Sequence, residues 1–203
     1  MIACLDLEGV LLPEIWIKFS EKSGIDELKL TTRDIPDYSK LMQTRLQILQ
    51  AHNLKIKDIQ DVINTIEPLE GAKKFLFWLK SEFQVIILSD TFYEFSGPLM
   101  KQLDYPTLFC HQLIIDNKGS IVDFRLRQKD QKTKAVKALQ GLNFKVISAG
   151  DSYNDIGMLK QADAGILFCP PESVIKKFPI FPVAQSYHEF ELLLLAAREK
   201  LLA

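Results

Sequence analysis

The sequence predicts an α/β protein with a Rossmann-like, doubly wound and mainly parallel sheet. Short β-rich runs alternate with amphipathic helical stretches along the chain, which is the pattern of strands covered by helices on both faces. Several of these runs end directly in polar residues. The 203 residues are 47% hydrophobic, enough for one large domain or one domain with a modest insert. Because ligands bind beyond the carboxyl ends of such strands, functional residues are expected where the runs end.

The predicted elements follow a simple order. Strands are predicted at residues 2–5, 84–88, 145–149, 165–168 and 182–184. The long segment after the first strand predicts helices near 14–23, 38–53 and 57–66, which Pro68 and Gly71 terminate. We therefore expect a helical cap at 13–68 and a catalytic core at 1–12 and 69–203. Residues 112–115 and 121–126 flank a turn at 117–119 and predict a small β-hairpin.

Composition excludes several classes of partner. The 25 basic and 26 acidic side chains nearly cancel, so no global positive field would attract nucleic acid or an anionic membrane. The sequence contains no apolar run of membrane-spanning length and no basic segment before the first apolar run, so a cytoplasmic protein is expected. The odd cysteine count, with apolar neighbours at Cys4, Cys110 and Cys169, predicts buried thiols in a reducing compartment.

The first strand ends in Asp6-Leu7-Glu8-Gly9-Val10. Residues i and i+2 of a strand share a face, so the carboxylates of Asp6 and Glu8 are expected to point the same way. Two acids this close repel each other unless a cation holds them, and Mg²⁺ prefers such oxygen ligands. The alternative is a pair of acids at a solvated strand end.

Two further clusters follow predicted strands. Ser89-Asp90-Thr91 offers a hydroxyl and backbone N–H groups to a phosphate, although a polar turn would explain it as well. Asp151, Asn154 and Asp155 lie within five residues of one another. Capping of the following helix would explain one of these acids and leave the other unexplained.

Lys129 and Lys132 lie after the hairpin and before a predicted helix. Either lysine is an ordinary surface charge in the absence of other evidence.

These four motifs together resemble the haloacid dehalogenase superfamily of phosphatases, in which an acid pair, a Ser or Thr, a Lys and an acidic loop occur in this order. The resemblance runs from Met1 to about Phe178. Within the superfamily the chain is similar to phosphoserine phosphatases. It looks most like the phosphoserine phosphatase/homoserine phosphotransferase branch, which shares Asp-Leu-Glu-Gly-Val, the approach around Pro13-Glu14-Ile15 and Gly-Asp-Ser-Tyr-Asn-Asp.

The resemblance implies Mg²⁺-dependent hydrolysis of L-phosphoserine through an aspartyl phosphate, with transfer to L-homoserine as an additional activity. Asp6 would be the nucleophile and Glu8 the general acid and base. The superfamily usually has Asp where this chain has Glu8, whose side chain is about 1.5 Å longer, and we hypothesise that this favours an alcohol acceptor. Mg²⁺ would be held by Asp6, the backbone carbonyl of Glu8 and Asp151, with Asp155 orienting them.

The resemblance also implies a phosphate-binding set. Ser89, the N–H of Asp90 and Lys132 would hold the phosphoryl oxygens, with Lys129 as the alternative lysine. Asp90 replaces a glycine that is usual in phosphoserine phosphatases. Unless its side chain faces away it would repel phosphate, so only its backbone N–H is assigned a role.

Recognition of an amino acid requires a facing acid and a facing base. The resemblance assigns Glu14 to the ammonium group and Arg45 to the carboxylate, with Asn154 contacting the substrate from the acidic loop. Arg33 is a second basic candidate. Without the resemblance, Arg45 would be a solvated charge on an amphipathic helix.

No role is assigned to three histidines because they lie near no motif: His52, His111 and His188. A homodimer is expected only from related proteins, and the leucine run at 192–195 indicates one face of a packing helix or a subunit contact.

Three other functions stay open. The substrate could be another small phosphomonoester. A signalling receiver domain also carries an acid cluster, Mg²⁺ and a phosphorylated aspartate, but it lacks both a helical insert after the first strand and an acid two residues after the nucleophile. An inactive relative retained for binding is disfavoured by the intact Asp6, Ser89, Lys132 and Asp151.

Overall fold

A computed structural model describes residues 1–32, 34–35 and 37–203. These residues form a seven-stranded sheet in the order β4-β3-β2-β1-β5-β6-β7, in which every neighbouring pair is parallel except β3 and β4. The predicted fold class is confirmed. The strands are β1 (Ile2–Leu5), β2 (Gln84–Phe92), β3 (Thr107–Ile115), β4 (Ile121–Arg125), β5 (Val146–Gly150), β6 (Ala164–Phe168) and β7 (Val183–Ala184).

Helices connect the strands and cover the sheet. They are α1 (Ile15–Ser23), α2 (Tyr38–Ala51), α3 (Ile56–Ile63), α4 (Ala72–Glu82), α5 (Tyr93–Gln102), α6 (Gln131–Gly141), α7 (Ile156–Gln161), α8 (Glu172–Lys177) and α9 (Tyr187–Leu202). Short 3₁₀ helices lie at Asp26–Lys29 and Tyr153–Asp155. The three helices predicted after the first strand correspond to α1, α2 and α3, each within three residues at either end.

Two predicted strands are longer than expected. The second strand continues beyond residue 88 to Phe92, with an irregular register against β3 between Leu88 and Phe92. The predicted hairpin is confirmed, because Gln112–Ile115 pairs antiparallel with Ile121–Arg125, but its first strand begins at Thr107 and also pairs in parallel with β2. The turn itself is where it was predicted, and Gly119 has the positive φ of 83° that a left-handed turn position requires.

The insert and the sheet share one apolar core. Phe19 of α1, Leu49 of α2 and Ile59 of α3 are fully or almost fully buried in the same cluster as Leu5 of β1. Burying side chains of this size contributes roughly 1.5–3 kcal/mol each, which holds the insert against the end of the sheet.

The C-terminal helix packs against the core. Phe190 and Leu194 of α9 are fully buried, and Phe190 stacks on Phe75 of α4 at 4.8 Å between ring centroids. Of the leucine run, Leu192 remains 54% exposed. In the described part of the chain, no helix has the length and apolarity needed to span a membrane.

The cysteine prediction holds for two of three residues. Cys4 and Cys110 are buried, whereas Cys169 is exposed, so the prediction of a buried thiol was wrong there. Cys169 follows the last residue of β6 with a φ of 44°, where the chain leaves the sheet.

Candidate active site

The site lies at the carboxyl ends of the three central strands. Asp6 follows β1, Asp151 follows β5, and Ser89 lies within the irregular part of β2, two residues beyond the last β2 residue paired with β1. Because these strands are parallel neighbours, their ends meet and bring the three polar side chains to one pocket. The sequence predicted this convergence from separate motifs.

Lys132, near the start of α6, lies between two buried acids. Its Nζ is 2.9 Å from Asp6 Oδ1 and 2.8 Å from Asp155 Oδ1, and all three side chains are buried. Burial by itself lowers the pKa of Lys132, but Asp155 and Asp6 raise it well above its usual value. Burial raises the pKa of Asp6, and Asp155 raises it further, whereas Lys132 opposes this change. The ammonium group therefore stays charged and is held by the two carboxylates.

Asp155 organises the loop after β5. Its Oδ2 accepts hydrogen bonds from the backbone N–H groups of Asp151 and Ser152, both at 3.1 Å, and so completes the cap of the short helix at Tyr153–Asp155. Its Oδ1 contacts Lys132. Since both oxygens already have partners, Asp155 is well placed to orient the neighbouring carboxylates.

Three acidic residues form a candidate metal site. Carboxylate oxygens of Asp6, Asp151 and Asp155 lie within 4.8 Å of one another, and all three residues are buried. Asp90 adds a fourth carboxylate near Lys132, so negative charge exceeds positive charge in this cluster. Hard oxygen donors with excess negative charge suit Mg²⁺.

Gly9 leaves room for Asp151. Its φ is +79°, and a Cβ atom at this position would lie 2.6 Å from Asp151 Cγ, closer than any side chain tolerates. The Gly in the first motif therefore serves the carboxylate brought by β5, which the sequence pattern did not indicate.

Glu8 faces the cap from the turn after β1. Its Oε2 accepts a hydrogen bond of 2.9 Å from the N–H of Ile15, at the start of α1. Burial and the neighbouring Glu14 carboxylate raise the pKa of Glu8 to about 8. A carboxylic acid that keeps its proton near neutral pH can act as a general acid.

Arg45 is buried rather than solvated. Its guanidinium group lies 4.5 Å from the centre of the Trp16 ring, and Nη2 donates a hydrogen bond of 2.8 Å to Leu30 O. The residue is 6% exposed, and its buried Nε has no hydrogen-bond partner among the residues that the structure describes. Burial lowers the pKa of Arg45 to about 10, so it remains cationic at neutral pH. Arg45 and Glu14 both line the pocket.

Asp90 does not turn away from the site. Its Oδ2 accepts a hydrogen bond of 3.1 Å from Asn154 Nδ2 and lies 3.8 Å from Lys132 Nζ. Its Oδ1 accepts from Gln131 Nε2 at 3.2 Å and lies 3.4 Å from His111 Nε2. The statement that His111 lies near no motif was therefore wrong, because β3 carries this buried ring to the end of β2. His52 and His188 are exposed surface residues.

The cap lies over one side of the pocket. Tyr38, the first residue of α2, donates a hydrogen bond from its hydroxyl to the backbone oxygen of Asp90. The cavity has a volume of about 70 Å³ and remains open to solvent. Its lining includes the predicted residues Asp6, Glu8, Glu14, Arg45, Ser89, Asp90, Lys132, Asp151 and Asn154. Lys129 is exposed and lines a neighbouring cavity instead. Arg33 lies outside the described residues.

Sequence reasoning missed several residues at or beside the site, among them Trp16, Tyr38, His111 and Gln131. Gln131 could have been predicted, because it directly precedes the motif residue Lys132 in the sequence. The two aromatic residues looked like ordinary core positions of amphipathic helices, and only the tertiary structure brings His111 to Asp90.

Comparison with known proteins identifies the family. A model of haloacid dehalogenase-like hydrolases matches residues 3–163. The chain belongs to this family of hydrolases. It is 61% identical to the phosphoserine phosphatase ThrH of Pseudomonas aeruginosa over 190 residues, covering 94% of this chain and 93% of that protein. It is 60% identical to a phosphoserine phosphatase of Pseudomonas syringae pv. tomato, covering 94% and 80%.

Solved structures support the fold. A substrate-bound phosphoserine phosphatase matches with a TM-score of 0.74 at 19% identity, covering 95% of this chain and 96% of that one. A phospho-aspartyl intermediate analogue of phosphoserine phosphatase matches with a TM-score of 0.71 at 20% identity, covering 90% and 91%.

Proposed function

We propose that the chain hydrolyses L-phosphoserine to L-serine and phosphate through an aspartyl phosphate at Asp6. The observation that carries this proposal is the contact between Asp6 and Lys132 inside a small pocket that also contains Glu14 and Arg45. A nucleophile, a phosphate-binding cation and groups for both charges of an amino acid thus share one cavity. The names of the two Pseudomonas relatives support the same substrate.

In the first step, Asp6 attacks phosphorus in line with the serine oxygen. Leu7 N–H and Lys132 both contact Asp6 Oδ1, so we assign the attack to Oδ2. The bond between phosphorus and the serine oxygen breaks, and Glu8 donates its proton to the departing alkoxide. The raised pKa of Glu8 keeps that proton available at neutral pH.

In the second step, water attacks the aspartyl phosphate. Glu8, now ionised, takes a proton from the water, the bond between Asp6 and phosphorus breaks, and phosphate leaves. Ser89, the N–H of Asp90 and Lys132 hold the phosphoryl oxygens as charge spreads over them.

Recognition of the amino acid is assigned to the cap, residues 13–68, and catalysis to the core, residues 1–12 and 69–203. Glu14 would pair with the ammonium group of the substrate and Arg45 with its carboxylate. Nε of Arg45 has no hydrogen-bond partner in the described part of the chain, which supports its assignment to a substrate acceptor.

We assign Mg²⁺ to Asp6, Asp151 and the backbone carbonyl of Glu8, with Asp155 orienting the set. When bound, the ion would neutralise the carboxylates and let the anionic phosphate approach Asp6.

Transfer of the phosphoryl group to L-homoserine is a second candidate activity. The observation that favours it is Glu8, a longer acid than the usual Asp, whose Oε2 is fixed by the N–H of Ile15. On this hypothesis, Glu8→Asp lowers the ratio of transfer to hydrolysis, and an unchanged ratio would refute it.

Phosphorus NMR tests both activities. Wild type and Asp6→Asn are incubated with Mg²⁺ and L-phosphoserine, with and without L-homoserine. Free phosphate from wild type alone supports hydrolysis. A new phosphomonoester signal that requires homoserine supports transfer. No turnover of phosphoserine would contradict the proposed substrate, and other small phosphomonoesters would then be compared.

A further inference from the structure

Asp90 occupies an unusual position for a carboxylate. It lies beside the phosphate-binding Ser89 and 3.8 Å from Lys132, where its negative charge opposes phosphate binding. Although burial raises the pKa of Asp90, Lys132 and hydrogen bonds from His111, Asn154 and Gln131 lower it well below the usual value. The Asp90 carboxylate therefore stays ionised beside the proposed phosphate site, and its contacts indicate what role it has there.

Every polar side chain that the described residues place against this carboxylate is a donor. Gln131 Nε2 and Asn154 Nδ2 donate to it, and Lys132 can only donate. His111 is fixed as a donor too. Its Nδ1 accepts a hydrogen bond of 3.2 Å from the N–H of Arg127, so the proton of the neutral ring is on Nε2, 3.4 Å from Asp90 Oδ1.

These donors come from separate parts of the molecule. His111 lies on β3, Gln131 and Lys132 begin α6, and Asn154 belongs to the acidic loop. Two side chains also donate to the backbone of this segment of β2. Gln131 donates to Ser89 O, and the cap residue Tyr38 donates to Asp90 O. Asp90 thus connects β3 to two segments that carry proposed substrate contacts, α6 with Lys132 and the acidic loop with Asn154.

We propose that the Asp90 side chain is a positioning residue, which orients Asn154 and Lys132 towards the substrate and is itself held by the Nε2–H of His111. This inference rests on the proposed function for its kinetic test. The family resemblance assigned a role only to the backbone N–H of Asp90, and this proposal adds a role for its carboxylate.

The isosteric variant is expected to be the worst one. In Asp90→Asn, an NH₂ group replaces one of the two carboxylate oxygens. In place of Oδ1 it would face the donors Gln131 and His111, and in place of Oδ2 it would face the donors Asn154 and Lys132. Asp90→Gly instead leaves space for water, which can accept from all of them, and removes the charge near phosphate. We expect kcat/KM for phosphoserine to fall about tenfold or more in Asp90→Asn, and less in Asp90→Gly.

A double-mutant cycle tests the path through His111. His111→Phe should lower kcat/KM, and His111→Gln should recover part of the loss because its amide can still donate to Asp90. In the Asp90→Gly background, His111→Phe should have little further effect. His188→Phe, on the exposed face of α9, is the control and should match wild type.

The outcomes separate the hypotheses. If Asp90 only fills space, Asp90→Gly should lower kcat/KM more than Asp90→Asn does. If the effects of Asp90→Gly and His111→Phe on kcat/KM are additive, His111 does not act through Asp90. Nitrogen NMR of the His111 ring adds a readout without turnover: the Nε2–H tautomer is expected, and an Nδ1–H tautomer would overturn the proposal. Absence of wild-type turnover would instead refute the proposed substrate, while the tautomer measurement would still stand.

Discussion

Nζ of Lys132 lies 2.9 Å from Oδ1 of Asp6, and both side chains are almost fully buried. Neither charge would be stable in this environment alone, because removal from water costs several kcal/mol per ion. The same contact places a cation beside the proposed nucleophile. Stability and phosphate binding therefore depend on one pair of residues.

Removal of Lys132 should destabilise the protein strongly. Lys132→Met leaves Asp6 and Asp155 buried without their cation, and we expect the free energy of unfolding to fall by about 3–5 kcal/mol in EDTA. Urea unfolding measures the change. The exposed Lys129→Met should stay within about 0.5 kcal/mol of wild type. Addition of Asp6→Asn to Lys132→Met should recover part of the loss, and a loss below about 1 kcal/mol in Lys132→Met would contradict the role of the pair.

Gly9→Ala should weaken Mg²⁺ binding. The new methyl group would meet the Asp151 carboxylate and displace it. Gly24→Ala is a matched control because Gly24 also has a positive φ, 72°, but has no neighbour within 4 Å of the added atom. We expect Mg²⁺ to raise the Tm of Gly24→Ala as it does for wild type, and to raise the Tm of Gly9→Ala much less. Equal shifts would show that Asp151 does not hold the ion.

Glu8 should make stability depend on pH. Its pKa is about 8 in the folded state against an ordinary value of 4.5, so its contribution to stability is full below pH 4.5 and is lost as pH rises through 8. Glu8→Gln does not titrate. In EDTA, its stability relative to wild type should therefore increase between pH 5 and 8, by roughly 2–4 kcal/mol. A difference that is independent of pH would mean that Glu8 is ionised in the folded protein.

Arg45 should act on substrate affinity more than on the chemical step. Arg45→Lys retains a charge but loses the guanidinium contact with the Trp16 ring and the geometry for a carboxylate, so KM for phosphoserine should rise roughly tenfold with little change in kcat. Trp16→Leu should raise KM a few-fold through loss of the stacking partner. Lys40→Met, on the exposed side of α2, is the control. An unchanged KM in Arg45→Lys would remove Arg45 from substrate binding.

The sequence predicted the parts of the site that follow strands. Asp6, Ser89 and Asp151 each come soon after an apolar run, and parallel strands necessarily bring such residues together. Lys132 could be preferred over Lys129 only because it stands directly before the predicted helix, as the motif lysine of the family does, since either lysine could be a surface charge.

Contacts between distant segments were not predictable. The sequence assigned a role only to the backbone N–H of Asp90, whereas its side chain accepts from donors on β3, α6 and the acidic loop. The stack of Arg45 on Trp16 joins α2 to α1 inside the cap. Local patterns report which face of an element is buried and do not report which partner it meets.

A rapid-quench experiment tests the central claim, that Asp6 becomes phosphorylated. Wild type and Asp6→Asn are mixed with Mg²⁺ and phosphoserine labelled on phosphorus, quenched in acid, and digested. We predict a hydroxylamine-labile label in the wild-type peptide that contains Asp6, with neither label nor phosphate release in Asp6→Asn. Label on another residue, or undiminished phosphate release by Asp6→Asn, would contradict the account.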